Sequence, residues 1–127
     1  MQTKKIVLLE DEHAISKMYQ IKLENMGYLV SVAFNGQDGL KLIEDVNPDL
    51  ILLDIKMPYM NGDEVLEITR SHSWGKNIRV IILTNLSKDE APMKLRLLNV
   101  DRYIVKAHYT PSQVVEVVQE VLSKHVA

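Results

Sequence analysis

The sequence predicts an α/β fold: an open parallel sheet with helices on both faces. Three observations predict it. Four short runs rich in Ile, Leu and Val are apolar at consecutive positions, as strands buried on both faces require. They are Ile6-Val7-Leu8-Leu9, Leu50-Ile51-Leu52-Leu53, Val80-Ile81-Ile82-Leu83 and Tyr103-Ile104-Val105. Between the runs the apolar spacing changes to three and four residues, the period of a helix. Strand and helix then alternate five times without a linker, repeat or low-complexity stretch, and right-handed crossovers put helices on both sides of such a sheet.

Each element follows from local chemistry. After the first strand, Ile15, Met18, Tyr19 and Met26 form one helical stripe, with the stem of Lys22 snorkelling across it. Gly27 stands where a helix C-terminal glycine belongs. Leu29-Val30-Ser31-Val32-Ala33 mixes polar and apolar residues, which suits a less buried edge strand. Asn35 is a plausible N-cap for a second helix through Leu40, Ile43 and Val46, which Pro48 ends. A third helix follows Asn61-Gly62 through Val65, Leu66, Ile68 and Thr69. A fourth is expected from Ser87 or Asp89, because Ser87-Lys88-Asp89-Glu90 reads as a capping box, with Pro92 delaying its first regular turn. The last segment is valine-rich like a strand, yet Val114, Val117, Val118 and Val121 recur at helical spacing. Thr110-Pro111-Ser112-Gln113 supplies a cap, a first-turn proline and a capping-box glutamine. Helix is the better reading, with Val115 and Leu122 widening its apolar stripe.

Composition narrows the function classes. A chain of 127 residues can close one core, and one domain over residues 1–127 is expected. Apolar residues make up 46% and charged residues 25%, the balance of a folded soluble domain. No run is long enough to span a bilayer, and the apolar stretch after Lys4-Lys5 is too short for a signal peptide. There is no cysteine, which excludes disulfides, cysteine nucleophiles and thiolate metal sites and fits a cytoplasmic protein. A net charge of -2 leaves no electrostatic footprint for nucleic acid. His13, His72, His108 and His125 are scattered without a metal-ligand pair, so they read as surface residues, and Trp74 reads as packing in the loop after the third helix.

The polar residues that end the strands carry the chemistry. Glu10 and Asp11 follow the first strand, Asp54 the third, Thr84 the fourth and Lys106 the fifth. Ligands of open parallel sheets bind outside these carboxyl ends. Three carboxylates at close quarters do not all ionise cheaply without counter-charge. Lys106 supplies one positive charge, and an all-oxygen donor set with room for water suits Mg2+ for the rest. Asp54 follows a central strand and is the best candidate nucleophile, since carboxylates form aspartyl-phosphates. A phosphoryl group arriving there would meet the metal, the Lys106 ammonium and the Thr84 hydroxyl, so that transfer proceeds by positioning and charge neutralisation.

Glu10-Asp11, Asp54 with Met57-Pro58-Tyr59-Met60-Asn61-Gly62 behind it, Thr84, Tyr103 and Lys106 together resemble the receiver domain of bacterial two-component response regulators. The resemblance covers essentially the whole chain. It implies a flavodoxin-like sheet of order 2-1-3-4-5, and Mg2+ held by Glu10, Asp11, Asp54 and the Lys56 carbonyl. It implies that Asp54 is phosphorylated by a sensor histidine kinase or a histidine phosphotransfer protein. Thr84 and Tyr103 would then act as the switch, through a face formed by the fourth helix, fifth strand and fifth helix. That face would control an unknown output partner or form a phosphorylation-dependent homodimer. No DNA-binding, cyclase or kinase segment follows Ala127, so the reading is a stand-alone receiver or one cut from a longer protein.

Three positions depart from the commonest receiver pattern. Ala107 replaces the proline after the lysine, so the bond is either trans or held cis by its contacts. Asn85 replaces a small residue, and Glu10 an aspartate. Lys56 and Leu86 hold the positions that tune phosphoryl lifetime, and slow self-dephosphorylation is expected from their shielding bulk. Other readings fit less well. A phosphatase of the haloacid dehalogenase kind would need a second aspartate where Lys56 stands. A flavin module would need a hydroxyl- and glycine-rich loop where Glu10-Asp11-Glu12 stands. A degenerate, unphosphorylated receiver acting as an interaction module is the remaining alternative.

Overall fold

The computed structural model describes residues 3–124. Along them run β1 (Lys5–Leu9), α1 (His13–Asn25), β2 (Leu29–Ala33), α2 (Gly36–Val46), β3 (Leu50–Leu53) and α3 (Gly62–Ser71). β4 (Arg79–Thr84), β5 (Arg102–Val105) and α4 (Pro111–Ser123) complete the order. All strand pairs are parallel and the sheet order is β2-β1-β3-β4-β5, the flavodoxin-like topology. Leu9 lies opposite both Ala33 and Leu53, so β1 and β3 end level with each other.

The consecutive apolar runs are explained by burial on both faces. Ile6, Leu8, Leu50, Leu52, Ile81, Leu83 and Ile104 pack under α1 and α4. Val7, Leu9, Ile51, Leu53, Val80 and Ile82 pack on the other side with residues of α2 and α3. Burying a side chain of this size contributes about 1.5–3 kcal/mol. All four side chains of β3 are buried, so the backbone that delivers Asp54 is the hardest to displace.

Most element signals act as the local chemistry dictates. The Asn35 side chain accepts the Asp38 N–H at 2.8 Å and caps α2. The Thr110–Gln113 capping box starts α4 behind Pro111. Gly27 adopts φ +95° just past α1, a conformation open to glycine. β2 is the partly exposed edge expected. Trp74 sits in the 3-10 turn Ser73–Gly75, half-buried against the α2/α3 core and stacked on His72. His13, His72 and His108 are exposed, and His125 lies outside the described residues.

Two expectations are corrected. In α1 the buried stripe is Ser16, Tyr19 and Leu23; Met26 is the C-cap, 46% exposed, because the helix ends at Asn25 before the stripe can reach it. The fourth helix does not form, so four α-helices rather than five cover the sheet among the described residues. The capping box itself is made: Ser87 N–H donates to Glu90, and Glu90 N–H to the Ser87 hydroxyl. Pro92 then falls where a helix interior would need an N–H and where its ring would strike the Lys88 carbonyl. The chain turns at Ala91, extends at Pro92 and regains only a 3-10 turn, Met93–Leu97. Arg70 seals the outcome by donating to the carbonyls of Leu98 at 2.8 Å and Asn99 at 2.9 Å. The same guanidinium donates to the carbonyls of Gly75, Lys76 and Ile78.

Asp63, in the first turn of α3, is buried with one carboxylate oxygen unpartnered among the described residues. Its other oxygen lies 3.5 Å from Lys94, whose side chain is 39% exposed. An unsatisfied buried oxygen costs about 1–3 kcal/mol, whereas so exposed a pair contributes little. Asp63→Leu is therefore expected to stabilise the fold by about 1 kcal/mol. Urea unfolding checks this; a lower midpoint would show that the Lys94 pair outweighs the orphaned oxygen.

Candidate functional site

The level ends of β1 and β3 put Glu10 and Asp54 side by side. The Asp54 N–H donates to the Leu9 carbonyl at 3.1 Å, carrying the sheet pattern one residue beyond β3. From the far edge, β5 brings Lys106. Its Nζ donates to the Asp54 carboxylate at 2.9 Å and to Glu10 as well. Val105, just before it, is the sheet partner of Thr84, so the hydroxyl and the ammonium leave neighbouring strands at one level.

Glu10, Asp54 and Thr84 are buried, and Asp11 is the most accessible of the acids. One carboxylate oxygen from each of Glu10, Asp11 and Asp54 lies within 4.8 Å of the others. Burial pushes the Glu10 carboxyl above its ordinary range, against the opposing pull of its bonds to Lys106 and the Glu12 N–H. Burial also works against the Lys106 charge, but hydrogen bonds to Glu10 and Asp54 outweigh it and hold the ammonium above the ordinary lysine value. One cation thus answers two buried carboxylates, with a third alongside. That surplus of anionic oxygen, with no nitrogen or sulfur donor, fits a hard divalent ion such as Mg2+.

The loop behind Asp54 is locked from two sides. The Ile55 N–H donates to Asp54 Oδ1 at 2.7 Å. The Gly62 N–H donates to the Ile55 carbonyl at 2.7 Å, and a Cβ on Gly62 would lie 2.0 Å from the Asp54 carbonyl oxygen. Only glycine allows α3 to begin this close to the site. Lys56 is exposed in this loop. Thr84 Oγ1 accepts the Leu86 N–H at 3.4 Å, and the Tyr103 hydroxyl donates to the carbonyls of Leu86 and Ser87. Thr84 and Tyr103 therefore grip the same segment from two strands. Among the described residues no peptide bond is cis, so Lys106–Ala107 is trans. A 3-10 turn, Lys106–His108, follows β5 directly.

Residues 6–119 match the family model of the response regulator receiver domain. The chain belongs to that family. This receiver is 34% identical over 122 residues to the alkaline phosphatase synthesis transcriptional regulatory protein PhoP of Bacillus subtilis, covering 95% of this chain and 49% of PhoP. The chain spans about half the length of such regulators, the probable transcriptional regulator ycf27 of Cyanidium caldarium included. Among solved structures, the receiver domain of the Francisella response regulator 1452 superposes with a TM-score of 0.83 at 29% identity, over 94% of this chain and 97% of that one. The chemotaxis response regulator CheY4 of Vibrio cholerae gives 0.85 at 25%, over 94% and 99%.

Strand-end residues Glu10, Asp11, Asp54 and Lys106 thus meet as their sequence positions imply. What sequence reasoning missed lies on α3. No spacing in the sequence marks Asp63 as buried or Arg70 as carbonyl-binding.

Proposed function

We propose that this receiver accepts a phosphoryl group from the phosphohistidine of a sensor histidine kinase, or of a histidine phosphotransfer protein, onto Asp54. In that step the phosphorus–nitrogen bond of the donor breaks, a phosphorus–oxygen bond to the Asp54 carboxylate forms, and the imidazole leaves. The observation that carries the reading is Lys106 bridging Glu10 and Asp54 beside Asp11. The same ammonium is placed to follow one oxygen of the transferring group while staying bonded to Glu10. Glu10, Asp11 and Asp54, with the Lys56 carbonyl, would hold Mg2+, which when bound neutralises charge on the phosphoryl oxygens. The Thr84 hydroxyl faces a third oxygen in this reading. Lys56 and Leu86 flank the product and slow its hydrolysis.

Phosphorylation then alters the grip on residues 84–87. Thr84 leaves the Leu86 N–H for the phosphoryl group, and Tyr103 exchanges its carbonyl partners for a more buried position. The segment 87–98, β5 and α4 form the surface that reports this to an output partner, or to a second copy of the chain. A cytoplasmic placement, beside a kinase, belongs to the same reading; no helix of the described residues is long and apolar enough to cross a membrane.

The test is incubation with acetyl phosphate, with and without Mg2+, read by intact mass. The wild-type chain should gain one phosphoryl group only with the ion, and a chelator should prevent the gain. An unchanged mass in Mg2+ would favour the degenerate interaction module. Tyr103→Phe should label as fast as wild type, because the hydroxyl touches only the Leu86 and Ser87 carbonyls. Amide exchange over 86–91 should quicken in that variant, and slowed labelling would place Tyr103 upstream of the chemistry.

A further inference from the structure

Tyr59 holds a backbone conformation that its residue type resists. Its φ is +66°, and the Met60 N–H donates to the Pro58 carbonyl across it at 2.8 Å. This closes a three-residue γ-turn of the rare kind with positive φ at its centre. Glycine or asparagine would occupy that position with little strain. Packing does not compensate a tyrosine there: the residue is 87% exposed and belongs to neither core.

Its place in the fold suggests what does. The Pro58 carbonyl accepts the Gly36 N–H at 3.2 Å, and a Cβ on Gly36 would lie 1.8 Å from the Met60 carbonyl oxygen. The loop after β3 and the turn after β2 are therefore pressed together. Two residues before Gly36, Phe34 is 39% exposed and stacks on His13 with ring centroids 3.8 Å apart. His13 in turn stands two residues after Asp11. Tyr59 and Phe34 thus lie in loops that follow β3 and β2, and His13 opens α1 just after the strand end that carries Glu10 and Asp11.

We infer that Tyr59 is an aromatic anchor for the protein that delivers the phosphoryl group, and so a determinant of which phosphohistidine protein this receiver accepts. The inference rests on the proposed transfer to Asp54. A folded donor must lie across these loops to bring its phosphohistidine to a buried carboxylate, so the occupant is set by the chemistry of the site. Exposed tyrosine on a rigid turn suits an interface centre, because a large ring with two side-chain torsions is buried at low entropic cost. A small donor such as acetyl phosphate needs no such surface.

The experiment compares wild type, Tyr59→Asn and Tyr59→Phe with two donors. Kinases of the chain's own organism are autophosphorylated and profiled for transfer to wild type, and KM and kcat are measured with the one that transfers. Asparagine tolerates the left-handed position, so the turn persists without the ring. Tyr59→Asn is expected to raise KM for the kinase about tenfold at unchanged kcat. Tyr59→Phe should stay near wild type, and all three should label alike with acetyl phosphate. Equal KM values with the kinase overturn the inference. So does a Phe variant as weak as the Asn one, or an equal loss with both donors. Wild type that neither acetyl phosphate nor any kinase labels would overturn the transfer to Asp54 itself, and the anchor with it.

Discussion

Asp54→Asn is expected to take up no phosphoryl group from acetyl phosphate or from a kinase, under conditions in which the wild-type chain is labelled fully. The substitution is nearly isosteric, and the Asn carbonyl can still accept the Ile55 N–H that Asp54 Oδ1 accepts at 2.7 Å. What disappears is the anionic oxygen, and an amide is too poor a nucleophile to replace it. The amide NH2 also replaces the carboxylate oxygen that faces Lys106 Nζ at 2.9 Å, so ammonium and amide meet donor to donor. The fold should survive, because Asp54 lies outside both apolar cores and the β3 side chains beneath it are untouched. Intact mass and peptide mapping check the result. Label on the variant at Asp11, or at any other carboxylate, would remove Asp54 from the centre of the mechanism.

Lys106→Met should have the second largest effect, and it should appear in stability as well as chemistry. The Lys106 side chain is 10% exposed and answers two carboxylates that are equally or more buried. Removing one partner of a buried ion pair leaves uncompensated charge, at a cost of about 3–5 kcal/mol. The variant should therefore unfold at lower urea concentration, and Mg2+ should raise its midpoint more than it raises that of wild type. Labelling by acetyl phosphate should fall by about two orders of magnitude or more, as losses of a preorganised charge at a reacting oxygen do. The pH dependence has a definite sign. Lys106 holds its proton above the ordinary lysine value, so the wild-type advantage is complete below that value and is lost as the pH rises through the raised one. Equal stability of the two proteins in the absence of divalent ions would show that the two ion pairs of Lys106 only offset the cost of burying its charge.

Legibility followed the range of the interaction. The caps of α2 and α4 and the glycine after α1 depend on residues within four positions of one another, and each was readable. The valine-rich α4 was separable from a strand because helical spacing is also a local property. The segment after β4 shows where such reading stops. Its capping box is present and formed, yet Pro92 halts the helix, and Arg70 holds its far end from 28 residues away. Met26 was misplaced for a related reason. Its spacing fits the stripe of α1, but where a helix ends decides which of its periodic residues are covered.

By itself the sequence determined the five strands and four of the five helices expected after them, the apolar faces of those elements, and the chemical types that end each strand. Only the tertiary structure decided that Lys106 touches Glu10, 96 residues distant, and Asp54 at once. It alone decided that Asp63 is buried with an orphaned oxygen, and that Tyr59 is strained and open. Periodicity and capping are properties of neighbours along the chain. Desolvation, charge pairing and exposure depend on what packs across it, and they exist only once the sheet has closed.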